Sequence, residues 1–146
     1  FLYTGEMDKL RQVIEQAEGC ELKPYPDGDD GDFSIGYGHN LTQLGISPAV
    51  AKILLDEDLV RCWSEVTTEY PFTTKLPRVV LESLVELNFN MGATRLRKFV
   101  KMWANLQSDP PNFEGAADEL LDSLYARQLP GRAERIAKQI RTQEYE

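Results

Sequence analysis

Leu10, Val13, Ile14 and Ala17 recur every three or four residues, with Asp8, Lys9, Arg11, Gln12, Glu15 and Gln16 between them. That spacing predicts an amphipathic helix, with Asp8 placed to cap it and Gly19 to end it. The pattern then changes. Tyr25-Pro26 is extended, Asp27-Gly28-Asp29-Asp30-Gly31 is turn chemistry, and Phe33-Ser34-Ile35-Gly36-Tyr37 alternates like a strand, which together predict a hairpin. Ser47-Pro48 is a cap followed by a first-turn proline. From there Val50, Ile53, Leu54, Leu59 and Trp63 keep helical spacing toward Thr67, a helix about 30 Å long at 1.5 Å per residue. Pro77 opens another helix through Val80, Leu81, Leu84, Val85, Leu87 and Phe89. Its apolar positions run nearly all round, so it is expected at the centre of a core. Three more helices are predicted over 95–106, 113–124 and 132–141. They are separated by the breaks Ser108-Asp109-Pro110-Pro111 and Pro130-Gly131.

The chain is therefore mostly helical with one small β element, an α+β class. Its 146 residues suffice for one folding unit with a real core. No internal repeat or low-complexity tract interrupts it. No apolar run is long enough to span a membrane, and no secretory leader is visible. Residues 1–6, ahead of Met7, read as a remnant or a truncated leader. Sixteen basic and twenty-four acidic residues give a net charge of −8. That excludes a nucleic-acid binder, which needs a basic face. The basic residues gather in two places: Arg95, Arg97, Lys98 and Lys101, and then Arg127, Arg132, Arg135, Lys138 and Arg141. Two cysteines, Cys20 and Cys62, are too few for a disulfide framework.

Candidate chemistry is concentrated near the start. Glu18 falls in the last turn of the first helix, where the negative end of the helix dipole suits a group that must hold a proton. Asp27 follows nine residues on, at the mouth of the glycine-rich turn, and Ser34 stands at the head of the strand. Glycoside hydrolysis needs such a set: an acid, a base, and something to hold a water. The acidic turn does not fit a calcium loop. Counting from Asp27, positions five, six and twelve hold Gly31, Asp32 and Gly38, where an EF-hand needs an acid or amide, Gly and Glu. His39, the single histidine, lacks a set of partner ligands for a metal. It reads as structural, paired with an acid such as Asp58. Asn90 can both donate and accept, which suits sugar hydroxyls and N-acetyl groups.

Glu18-Gly19, Tyr25-Pro26-Asp27 and Ser34-Ile35-Gly36-Tyr37-Gly38-His39 resemble the opening motif of the bacteriophage-type lysozymes, glycoside hydrolase family 24. Phe89-Asn90-Met91-Gly92 with Leu96 and Phe99 resembles that family's second block. Gly131-Arg132-Ala133-Glu134-Arg135 followed by Arg141-Thr142 resembles its last. The resemblance runs in order from about Met7 to Tyr145. It implies a lysozyme-like fold: a small β-containing lobe over 18–47, a linking helix over 48–68, and a helical lobe made of 7–17 with 69–146. It implies a cleft between the lobes, and a muramidase cleaving the β-1,4 bond between N-acetylmuramic acid and N-acetylglucosamine in peptidoglycan.

Glu18 would then be the general acid, with Asp27 and Ser34 holding the water for inversion. The two carboxyl groups should stand roughly 6.5–9.5 Å apart. Asn90, Phe89, Asn40 and Arg132 would meet the substrate, although Phe89 on pattern alone belongs to the core. Arg132 would also reach Glu18. The resemblance puts Cys20 near the hairpin and Cys62 late in the long helix, so both are expected as free thiols. No cofactor, metal, nucleic acid or membrane insertion is expected. A monomer is expected. Without a leader, it would collect in the host cytoplasm and reach the wall through a holin.

Two departures bear on the site. Ser34 stands where the family has Thr, and the stretch from Asp27 to Ser34 is one residue longer than usual. Asp27 keeps the family spacing and is preferred; Asp29, Asp30 and Asp32 are the reserves. The alternatives are an inactive relative that binds peptidoglycan, and a helical interaction domain whose acidic turn binds a cation or partner. Clearing of bacterial walls separates the first reading from both.

Overall fold

The computed structural model describes residues 5–146. The expected remnant at the N-terminus lies outside the described residues up to position 4; beyond it, the Gly5 carbonyl accepts from the Asp8 amide at 3.2 Å. Contacts group the chain into two compact units, Phe1–Ile53 and Leu54–Glu146.

The first unit holds α1 (Asp8–Glu18), β1 (Glu21–Pro26), β2 (Phe33–Gly36), β3 (His39–Asn40) and α2 (Leu41–Leu44). The strands form one antiparallel sheet in the order β1-β2-β3. α1 ends as its pattern predicts, at Gly19 with φ 65°. Its start differs. Met7 is the N-cap and offers no side-chain bond, while Asp8 sits in the first turn and accepts from Arg11 at 3.2 Å. An acid there still suits the positive end of the helix dipole. α1 groups with the sheet in this unit, whereas the expectation had put residues 7–17 with the helical lobe.

α3 (Pro48–Glu69) is the predicted long helix, and Ser47 Oγ accepts from the Val50 amide at 3.2 Å as its cap. It is followed by a 3₁₀ turn (Pro71–Lys75), α4 (Arg78–Met91), α5 (Ala93–Leu96), α6 (Val100–Gln107), α7 (Phe113–Leu121), α8 (Leu124–Gln128) and α9 (Pro130–Thr142). α4 is the buried centre expected of it: Val80, Leu84 and Leu87 are fully enclosed. Around it pack Cys62 and Val66 of α3, Met102 and Leu106 of α6, Leu120 of α7, and Ile136 and Ile140 of α9. Such side chains each contribute about 1.5–3 kcal/mol by burial. Polar ties fix α9 on α4. Gln139 donates to Ser83 Oγ at 3.0 Å, and Arg135 forms an ion pair with Glu86.

Two predicted helices are each broken in two. The stretch 95–106 stops at Leu96 and restarts at Val100, because the Trp103 indole N–H donates to the Leu96 carbonyl at 3.0 Å. That carbonyl, also bonded by the Phe99 amide, is thus lost to a continuous helix. Trp103 is held there by Tyr70, stacked on it with centroids 3.6 Å apart. The stretch 113–124 stops at Leu121 because Ser123 begins α8 as an N-cap, accepting from the Ala126 amide at 3.1 Å.

Glu65 and Glu69 tie α3 to its neighbours. Asn88, itself buried, donates to Glu65 at 2.8 Å, and Arg97 grips Glu69. The Asn88 bond holds Glu65, and the Arg97 bond holds Glu69, below the usual carboxylate range. Groups lowered in the folded state stabilise it fully above the ordinary carboxylate pKa and lose that contribution as pH falls through the lowered value. Thermal melts taken from pH 7 down to pH 3 should therefore fall in Tm, and a Glu65→Gln, Glu69→Gln double variant should show a shallower decline over the same range.

Candidate active site

The site in the first unit is set by strand register. Tyr25 of β1 lies opposite Ser34 of β2, and Pro26 opposite Phe33. The loop between the strands is closed by the Asp27 amide donating to the Asp32 carbonyl at 2.9 Å. Residues 28–31 lie beyond that bond, and Asp27 directly follows the end of β1 at Pro26. Ser34 is fully buried, and its Oγ donates to Asp27 Oδ2 at 2.9 Å. Asp27 Oδ1 is left to accept from another donor. Of the acids in the turn, Asp27 is the one that Ser34 engages. Asp32 is committed elsewhere: its two oxygens accept from Asn40 Nδ2 at 3.0 Å and Gln43 Nε2 at 3.2 Å.

Glu18 reaches the same neighbourhood from the end of α1. A Cβ placed on Gly38, between β2 and β3, would lie 3.9 Å from Glu18 Oε2. Gly38 has φ 90°, a conformation that side-chain-bearing residues rarely adopt. Tyr25 senses both carboxylates. Burial first, then the charges of Asp27, Glu18 and Glu21, push its phenol above the ordinary tyrosine range. The phenol is therefore a protonated donor beside the two acids.

Asn40 does not present a free amide. Its Oδ1 accepts from the Gln43 amide at 2.9 Å, capping α2, while its Nδ2 is held by Asp32. His39 Nε2 donates to the Gly45 carbonyl at 2.6 Å rather than to an acid. The expected Asp58 is instead paired with Arg61 at 3.4 Å. α2 was missed by periodicity because a single turn has no period to read. Cys20 and Cys62 are both free, the first exposed and the second buried.

The candidates in the second unit gather separately. Arg132, from the first turn of α9, donates to Asn90 Oδ1, and Asn90 Nδ2 donates to the Glu86 carbonyl at 2.8 Å. Phe89 is 43% exposed rather than core. It borders a hollow of about 370 Å³ with Leu59 and Trp63, where Arg78 lies 4.6 Å over the Trp63 ring. Among the described residues no cluster of His, Cys, Asp and Glu could hold a metal ion, and no helix is long and apolar enough to cross a membrane.

The phage lysozyme family model matches residues 15–139, which include Glu18, Asp27, Ser34, Asn90 and Arg132. No curated protein sequence matches the chain closely enough to stand as a relative. With most of its length matched, and with an α+β fold of helices and one small antiparallel sheet, the chain belongs to the phage lysozyme family.

Proposed function

We propose that the chain is a muramidase that hydrolyses the β-1,4 bond between N-acetylmuramic acid and N-acetylglucosamine, with Glu18 as general acid and Asp27 with Ser34 holding the water. Membership of the family carries the coarser statement, a lysozyme-type glycoside hydrolase acting on peptidoglycan of the bacterial cell wall. The observation that carries the finer one is the Ser34–Asp27 bond, with Glu18 nearby at Gly38.

The chemistry follows from donors and acceptors. Ser34 gives its proton to Asp27 Oδ2, so the Ser34 oxygen keeps lone pairs free. A water donating a hydrogen to Asp27 Oδ1, the carboxylate that buried Ser34 orients, would present its own lone pair to the anomeric carbon. As it attacks, its proton passes to Asp27. Glu18 meanwhile protonates the leaving oxygen on the opposite face of the sugar. This is direct displacement, with inversion at the anomeric carbon. The protonated Tyr25 phenol supplies a further donor beside the two acids. Asn90, oriented by Arg132 and with Phe89 beside it, is our assignment for contacts to sugar substituents. Asn40 we assign to the architecture of the sheet rather than to substrate. We also propose that the protein works alone, without a cofactor.

Clearing of purified bacterial walls tests the assignment of Glu18. Glu18→Gln keeps size but cannot donate a strong acid's proton. A folded variant should lose ~10²–10⁴-fold in rate, and near-normal clearing would remove Glu18 from the role of acid.

Stereochemistry offers a second check. ¹H NMR of the first product formed should show the α-anomer ahead of mutarotation; an initial β-product would mean retention and a different use of Asp27.

Ser34 separates holding the water from merely filling space. Ser34→Ala should lower the rate roughly a hundredfold, since Asp27 loses the donor that orients it toward the water. Ser34→Thr restores the hydroxyl with a stiffer χ1 and should keep activity within a fewfold. Equal rates for Ser34→Ala and the parent would show that the hydroxyl has no part in the chemistry.

A further inference from the structure

Tyr37 is the one residue with a side chain in the turn Gly36-Tyr37-Gly38, which joins Ile35 of β2 to its partner His39 of β3. The backbone on either side of it is left-handed, with φ 69° at Gly36 and 90° at Gly38. Between them Tyr37 stands 48% exposed. The proposed reaction does not use it, yet its neighbour Gly38 lies near the Glu18 carboxylate.

The ring is tethered at its tip. Cys20 first, then the charge of Glu15 and burial, keep the phenol above the ordinary tyrosine range, and its hydroxyl bonds to the Cys20 thiol. Glu15 and Glu18 stand three apart on α1, so they share a helix face. Tyr37 therefore lies beside the face of α1 that carries the acid. A lone exposed aromatic needs no explanation. An exposed aromatic held by its polar tip next to the acid of a glycosidase has a use, because the tether removes freedom that a ligand would otherwise have to restrain.

The two sugars of the substrate differ in what they offer such a ring. β-Linked N-acetylglucosamine holds its substituents equatorial and turns the axial C–H bonds of C1, C3 and C5 to one side, an apolar face. N-acetylmuramic acid carries a bulky lactyl ether at C3, which crowds the edge of that face. The sugar whose oxygen Glu18 protonates lies on the Glu18 side of the broken bond. We infer that the Tyr37 ring is a stacking platform for the departing N-acetylglucosamine, and so helps decide which of the two alternating glycosidic bonds is cut. The inference rests on the proposed use of Glu18 and adds a residue that sets sugar register. Tyr37 takes no proton and forms no bond in the reaction.

The test reads contact directly and does not need turnover. Protein deuterated everywhere except on its tyrosine rings is mixed with the peptide-free tetrasaccharide of alternating N-acetylglucosamine and N-acetylmuramic acid, and the rings are saturated. Saturation should pass to the axial protons of N-acetylglucosamine. Tyr37→Phe in the same labelling keeps the ring but removes its protons, so most of that transfer should vanish. On soluble glycan strands Tyr37→Phe should keep KM within about twofold, whereas Tyr37→Leu should raise it ~3–10-fold with kcat little changed. Undiminished transfer in Tyr37→Phe would overturn the inference, as would transfer confined to N-acetylmuramic acid. An equal KM for Tyr37→Leu and the parent would overturn it too. The comparison of the parent with Tyr37→Phe decides the matter even if Tyr37→Leu misfolds. A protein that passes saturation from Tyr37 to the sugar but fails to clear walls fails as a muramidase and keeps the platform. Normal clearing without that transfer removes only the platform.

Discussion

Asp32 is the residue on which the first unit turns. Its carbonyl closes the hairpin loop on the Asp27 amide, and its carboxylate takes one amide from Asn40 and another from Gln43. One residue thereby joins the loop, the third strand and the start of α2. A β-register slip of one place would carry Ser34 to the opposite face of the sheet. The Asp32 clamp works against such a slip, and Thr42 adds to it by accepting from the Phe33 amide at 2.9 Å. The pairing of Ser34 with Asp27 is thus a result of register, and register is held by Asp32 and Thr42.

Charge is arranged with the same economy in the second unit. The basic residues near the C-terminus look from the sequence like a patch able to meet an anionic wall. In the fold they are largely spent: Arg135 on Glu86, Arg141 on Asp118 and Glu114, Lys138 on Glu146, and Arg132 on Asn90. They lock α9 to α4, α7 and the chain end. In the shorter cluster Arg97 holds Glu69, while among the described residues Arg95, Lys98 and Lys101 hold no carboxylate. Counting charges along a sequence does not separate these two cases, because the difference lies in which acids the fold brings opposite each base.

Much of the fold was legible because it is written locally. α1, α3 and α4 announce themselves by period, and Ser47 and Gly19 mark ends with chemistry that needs no tertiary partner. That Asp27 and Ser34 come together was legible from the hairpin pattern. Less was legible where a bond joins residues several turns apart. The break after Leu96 depends on an indole seven residues on, itself held by Tyr70, and no window of helical spacing contains that fact. The break before Leu124 was within reach, since Ser123 is a good N-cap, but an apolar run carried the expected helix across it. Asn40 drew attention as a sugar ligand because an amide beside the strand motif has that chemistry; only the register shows both of its ends already occupied.

The two cysteines have a use that follows from their burial. Cys20 is open to solvent, whereas Cys62 is wholly enclosed within the core of the second unit. A thiol reagent meets the first at once and the second only when that core opens. The slow phase of labelling is then a clock for the opening of the helical unit, read in the native protein without denaturant. Nature has left in this chain a built-in reporter of one unit's breathing, with the other thiol as its internal standard.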